Sequence, residues 1–120
     1  MLEAIDHVQL AAPPGCEEEA RRFFGGLLGL EELEKPEPLR GRGGVWFRVG
    51  AQQLHVGVEA DFAAARKAHP ALSARRYDEL LARLRGAGVE VVEDETLPGV
   101  RRCHTSDPWG NRIELLAVDS

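Results

Sequence analysis

Asp107-Pro108-Trp109-Gly110-Asn111-Arg112-Ile113-Glu114-Leu115 is the stretch on which the fold turns. Pro108 and Gly110 suit a turn, and Asn111 tolerates the left-handed backbone that turns need. Ile113, Leu115 and Leu116 then begin a strand around Glu114. A carboxylate buried in such a strand is costly without a partner, so a metal ion, an arginine or substrate chemistry is implied. The plainer alternative is an edge strand with Glu114 facing water.

Working outward, three histidines occupy strand-like segments at matching places. His7 lies in Ala4-Ile5-Asp6-His7-Val8-Gln9-Leu10, His55 in Gln53-Leu54-His55-Val56-Gly57-Val58, and His69 in Lys67-Ala68-His69-Pro70-Ala71-Leu72. The interval from His7 to His55 nearly equals that from His69 to Glu114, as if one unit were used twice.

The whole chain supports that reading. A strand over about 3–11 is followed by a Pro13-Pro14-Gly15 break. A helix over about 17–28 carries Ala20, Phe23, Phe24, Leu27 and Leu28 at helical spacing, with Glu17 to Glu19 at its positive end and Gly29 to stop it. Short strands are expected at Leu30 to Glu34, about 44–49 and about 52–59, the last two joined at Gly50-Ala51. The second half repeats the order: a strand at about 68–75, a helix at about 77–86 with Tyr77, Leu80, Leu81 and Leu84 on one face, then strands at Val89 to Glu93, Val100 to Ser106 and Arg112 to Val118. Glu59 to Arg66 is the linker. This predicts one domain over 1–120, with module one at about 1–60 and module two at about 67–120.

The chain's 120 residues suffice for one domain with a modest core, and 43% hydrophobic with 29% charged residues is ordinary for a globular chain. A net charge of −5 argues against a nucleic-acid surface, and the arginines occur in pairs such as Arg21-Arg22 without a longer run. No apolar stretch approaches the roughly 20 residues that span a bilayer, and no basic segment precedes an apolar run at the N-terminus. The expectation is a cytoplasmic protein without membrane partners. Cys16 and Cys103 form neither a CxxC pair nor a disulfide framework; Cys103 reads as core and Cys16 as a loop or helix-start residue.

Strand alternation sorts the faces. Val8 and Leu10 pack on the helix, leaving Ile5, His7 and Gln9 opposite. Leu54, Val56 and Val58 leave His55 with Gln53 and Gly57; Ile113 and Leu115 leave Glu114 with Arg112 and Leu116. His69 sorts the same way. The third strand of each module sends Trp46 and Arg48, and Arg102 and His104, to that same face. Three imidazoles and one carboxylate suit Zn, Fe, Ni, Co or Mn, and guanidinium groups beside them would suit a small anionic substrate. Singly, each histidine is more often a hydrogen-bonded structural residue than a ligand, and Arg48, Arg102 and Trp46 read equally as rim or packing residues.

The chain resembles the vicinal-oxygen-chelate superfamily, which includes glyoxalase I, bleomycin-resistance proteins, fosfomycin-resistance enzymes and extradiol dioxygenases. The resemblance rests on Ile5-Asp6-His7-Val8, Phe23-Phe24-Gly25-Gly26-Leu27-Leu28-Gly29-Leu30, Leu84-Arg85-Gly86-Ala87-Gly88-Val89 and Asp107 to Leu115. It implies an α+β, glyoxalase-like fold of two βαβββ modules forming a concave mixed sheet. It also implies a homodimer, with a divalent first-row metal held by His7, His55, His69 and Glu114 where two modules meet, sometimes from two subunits. Bacterial glyoxalase I typically has Glu where this chain has His55, and Pro70 directly after His69 removes a strand donor.

The resemblance implies a metal-dependent lyase or isomerase acting on a small oxygenated substrate, with Glu114 as ligand and proton carrier. Gln9, Trp46, Arg48, Arg102 and His104 are the candidate substrate contacts. The alternatives are a ring-cleaving extradiol dioxygenase, a fosfomycin-type thiol transferase, and a non-catalytic small-molecule binding protein of the bleomycin-resistance type.

Overall fold

A computed structural model describes residues 1–118 of the chain. They form two compact units, one from Met1 to Ala64 and one from Ala65 onward. Each contains a four-stranded mixed sheet with few helices, which is the glyoxalase-like α+β fold. Among the described residues no helix is long and apolar enough to cross a membrane.

In the first unit, β1 (His7–Ala12), β2 (Glu31–Leu33), β3 (Val45–Val49) and β4 (Gln52–Val58) pair in the order β1-β4-β3-β2. β1 runs parallel to β4, and the other two pairings are antiparallel. Alternation sends Leu10, Val45, Phe47, Leu54 and Val56 into the core with Phe23 and Phe24 from the helical segment. β1 begins later than the sequence suggests, because β4 offers no partner before Gln52; ahead of the ladder, the Gln52 side-chain amide donates to the Ile5 carbonyl.

The expected helix over 17–28 is helical but not uniformly α. α1 spans only Glu17–Ala20, and Arg21–Leu27 continue as a π-helix, with the Leu28 N–H reaching the Phe23 carbonyl at 2.9 Å. Two consecutive aromatic residues explain this. Phe23 and Phe24 are both buried, their rings edge to face at 5.0 Å, and the wider turn brings both inward. Gly25 and Gly26 follow directly, and Gly25 lies against the Phe47 ring. Glu17 ties this segment to the sheet by accepting the Gly44 N–H at 2.7 Å. Gly44 sits at φ 85°, where a Cβ would run into the Val56 carbonyl oxygen.

In the second unit, β5 (Ala71–Ala74), β6 (Val92–Asp94), β7 (Arg102–Ser106) and β8 (Arg112–Ala117) pair in the order β5-β8-β7-β6, with β5 and β8 parallel. α2 (Tyr77–Gly86) buries Tyr77, Leu81 and Leu84, and the sheet answers with Cys103, Ile113 and Leu115. β5 is shorter than the sequence reading, and His69 lies ahead of it. Pro70 has no N–H to donate, although its carbonyl still accepts from the Glu114 N–H at 3.0 Å. Cys103 is core as expected, and Cys16 is a buried residue at the start of α1.

Candidate functional site

The turn that opens β8 is built by two side chains. Asp107 Oδ1 accepts the N–H groups of Trp109 at 3.0 Å and Asn111 at 2.9 Å, and Asn111 Nδ2 donates to Asp107 Oδ2 at 2.7 Å. Asn111 Oδ1 accepts the Ala65 N–H, while the Arg112 N–H returns to the Ala65 carbonyl. Asp107 and Asn111 are 5% and 1% exposed, so the clip is a buried, satisfied network. It fastens the first residue of the second unit to the start of β8 and fixes the register that carries Glu114.

Glu114 lies on the face opposite Ile113 and Leu115, yet is only 8% exposed because charged neighbours cover it. His69 Nε2 stands 3.0 Å from its Oε1, and Arg102 NH1 donates to its Oε2 at 3.3 Å. Burial alone would raise its pKa, but the close contacts with His69 and Arg102 outweigh burial and hold the carboxyl below its ordinary value.

Arg102 spans two carboxylates. Its NH2 lies 3.0 Å from Asp94 Oδ2 and donates to Thr96 Oγ1 at 3.1 Å. His104, directly opposite Glu114 on β7, places Nε2 3.2 Å from the same Asp94 oxygen, and its ring meets the His69 ring edge to face. The other Asp94 oxygen accepts both the N–H and the hydroxyl of Thr96, at 2.9 and 2.7 Å. These Thr96 bonds, aided by His104 and Arg102, lower the Asp94 pKa.

The first unit presents three stacked rings across three strands. Trp46 lies 3.7 Å from His55, with planes 3° apart, and His7 covers the other side at 4.3 Å and 19°. His55 is therefore buried on what would otherwise be an open face, and burial, then the neighbouring His7, hold its pKa below the ordinary value. Its Nε2–H donates to Gln53 Oε1 at 2.8 Å, and His7 Nδ1 lies 2.9 Å from Asp6. Gln9 is draped over Gly57, where a Cβ would stand 2.7 Å from its Nε2. Arg48 turns to Glu31, its cross-strand neighbour, in an exposed ion pair at 3.2 Å.

Of the four candidate metal ligands, His69 and Glu114 thus meet in one unit and His7 and His55 in the other. The first pair fits a metal. His69 Nδ1 lies 2.8 Å from the Lys67 carbonyl, which only accepts, so Nδ1 carries the proton. In the neutral ring Nε2 is then a bare lone pair facing a carboxylate oxygen. Two such donors, each about 2.1 Å from one ion, stand about 3.0 Å apart at right angles and about 3.4 Å apart at the tetrahedral angle, against 3.0 Å here. The second pair is arranged differently. An imidazole lone pair lies in its ring plane, so rings stacked face to face do not aim at one ion; His7, with its side chain 45% exposed, has room to turn. Among the described residues no group of three or more His, Cys, Asp or Glu side chains is gathered closely enough to hold a metal.

Sequence reasoning missed Asp94 and Thr96, which hold Arg102 and His104. The signal was Asp94-Glu95-Thr96 itself, an Asp whose carboxylate can be capped two residues on. The expected strand ended at Glu93, one residue short of the register position opposite Arg102.

No protein-family model matches the chain, and no curated protein matches it. Solved structures do. Lactoylglutathione lyase from Agrobacterium tumefaciens shares the fold with a TM-score of 0.75 at 20% identity, over 97% of this chain and 94% of that one. A variant of the fosfomycin resistance protein FosX from Listeria monocytogenes, complexed with Mn(II) and 1S,2S-dihydroxypropylphosphonic acid, shares it at 0.79 and 19%, over 99% and 95%. A glyoxalase family protein from Bacillus anthracis is 50% identical over 99% of this chain and 98% of its own, with a TM-score of 0.94. With identity at that level over essentially the whole of both chains, this protein belongs to the glyoxalase family of the vicinal-oxygen-chelate superfamily.

Proposed function

We propose that the protein is a metal-dependent glyoxalase-like lyase or isomerase acting on a small oxygenated substrate. The observation that carries this reading is the contact between His69 Nε2 and Glu114 Oε1, two acceptors that need a cation or a proton between them. His69 and Glu114 are the ligands of a divalent first-row ion, and His7 and His55 are the first unit's candidates to complete the set, within one chain or in a homodimer. A bound ion would supply Lewis acidity to a substrate oxygen.

The rest of the chemistry falls to this chain's own side chains. Glu114 stays ionised at neutral pH, the state required both of a ligand and of a group that accepts a proton from carbon beside a carbonyl. Arg102 brings positive charge against that carboxylate and suits an anionic substrate group. The half-buried Trp46 offers apolar surface, and Gln9 an amide able to donate and accept. The FosX complex supports both halves of the reading, since that protein holds Mn(II) together with a small hydroxylated anion.

A second reading rests on the stacked His7 and His55 rings, which as placed suit a planar ligand better than a shared ion. It makes the protein a non-catalytic small-molecule binder. Elemental analysis of tag-free wild type and Glu114→Ala, purified without chelator, separates the two. A first-row metal present in the wild type and lost in the variant supports the enzyme, and the ion found selects which glyoxalase, epimerase and dioxygenase substrates to screen. No metal in either, even after Ni, Zn, Mn and Fe(II) are added, leaves the binding protein.

A further inference from the structure

Arg102 could satisfy Glu114 with both of its terminal nitrogens, since guanidinium and carboxylate pair most strongly as a two-pronged fork. It does not. Only NH1 reaches Glu114, while NH2 is drawn away to Asp94 and Thr96. Asp94 is itself held: one oxygen takes two hydrogen bonds from Thr96, leaving the other for Arg102 and His104. The side chains of Arg102, His104 and Asp94 are 17%, 18% and 21% exposed, so their contacts are largely shielded from water, while Thr96 lies at the surface.

We propose that Asp94, fixed by Thr96, is a positioning residue that holds Arg102 back from a two-pronged grip on Glu114 and so keeps the carboxylate free to bind a cation. This rests on the reading of Glu114 as a metal ligand. Without Asp94 the guanidinium swings onto both Glu114 oxygens and competes with the metal for them. Asp94 touches neither metal nor substrate in this role; it acts through Arg102. His104, tethered to the same Asp94 oxygen and packed edge to face on His69, moves with it.

The test is Mn(II) binding, followed by calorimetry and by the electron paramagnetic resonance of free Mn(II), in wild type, Glu114→Ala, Asp94→Ala, Thr96→Ala and Asp94→Ala with Arg102→Gln. The dissociation constant is expected to rise about tenfold in Asp94→Ala, the size of effect seen when a residue supporting a metal ligand is removed. A smaller rise is expected in Thr96→Ala, which leaves every charge in place and so isolates positioning from the loss of a negative group. Removing Arg102 as well should return the constant toward the wild-type value, because the competitor is gone. Wild-type affinity in Thr96→Ala, or no recovery in the double variant, overturns the proposal. Thr96 is exposed, so its variant decides the matter even where Asp94→Ala fails to fold. Equal Mn(II) binding by wild type and Glu114→Ala, or none by the wild type, overturns the ligand reading beneath it.

Discussion

His69 meets Glu114 across the start of β5 with its nitrogens already assigned: Nδ1–H is committed to the Lys67 carbonyl at 2.8 Å, and Nε2 faces Glu114 Oε1 at 3.0 Å. The pair is thus incomplete without a positive charge between its facing atoms, which a proton or a metal ion can supply. A backbone carbonyl that fixes the tautomer of a ligating histidine is the usual arrangement behind such sites.

Adding Zn(II) to metal-free protein should therefore stabilise the fold. An ion that binds only the folded state at 100 times its dissociation constant contributes about 2.7 kcal/mol. Scanning calorimetry should show a higher melting temperature for the wild type and none for Glu114→Ala. Nitrogen-15 spectra should show the His69 Nε2 signal shifting on Zn(II) addition while Nδ1 stays protonated. An equal rise in both proteins would place the ion elsewhere.

Asp107 and Asn111 hydrogen-bond to each other through both side chain and backbone and should fail as a unit. Asp107→Ala leaves two backbone N–H groups and the Asn111 amide without their acceptor, a loss of about 3 kcal/mol. Asn111→Ala removes the acceptor of the Ala65 N–H and the donor to Asp107 Oδ2, and costs a similar amount. Urea denaturation of the double variant should fall well short of the sum of the two single losses, because each removes the other's partner. Strict additivity would mean the two act independently.

That turn was legible in its place, from Pro108 and Gly110 at fixed offsets, but Asn111 acts otherwise than expected: Gly110 takes the positive φ, and Asn111 bonds Asp107 and the distant Ala65 through its side chain. The faces of β1, β4 and β8 were legible from a period of two carried by Leu10, Leu54, Val56, Ile113 and Leu115. The π-helix was not, since over seven residues a pattern set by Phe23 and Phe24 fits α and π turns alike. Nor were the ring orientations of His7 and His55, which depend on Trp46 arriving from another strand. Arg48 escaped in the same way: alternation gave its face, while the register against β2 gave it Glu31 as a partner.

Gly57→Ala should probe Gln9 without damaging the core. The new methyl would stand 2.7 to 3.1 Å from the Gln9 amide atoms, and Gln9 is an exposed, flexible side chain able to give way. Stability should change by less than about 1 kcal/mol, while the Gln9 amide is displaced from its place over Gly57. If Gln9 contacts substrate, KM rises and kcat holds, the signature of lost ground-state binding. Unchanged kinetics would remove Gln9 from the site.

His55 should make the fold sensitive to mild acid, and the sign follows from its depressed pKa. Burial, then His7, disfavour the charged ring in the folded protein, whereas the unfolded chain protonates near the ordinary value of about 6.5. Below that value the unfolded state binds more protons, so stability falls as pH drops from 6.5 toward the folded-state pKa and levels off beneath it. Above pH 6.5 both states are neutral at this residue and its contribution is flat. His55→Phe keeps a ring against Trp46 but cannot titrate, so its stability should lack this part of the slope between pH 6.5 and 5. The measurement is the urea midpoint of metal-free protein at half-unit pH steps, with Trp109→Phe present throughout so that fluorescence reports Trp46 alone. Parallel pH profiles for the two proteins would show that the unfolded-state protonation of His55 is matched in the fold, and that the Trp46 and His7 rings do not exclude its charge.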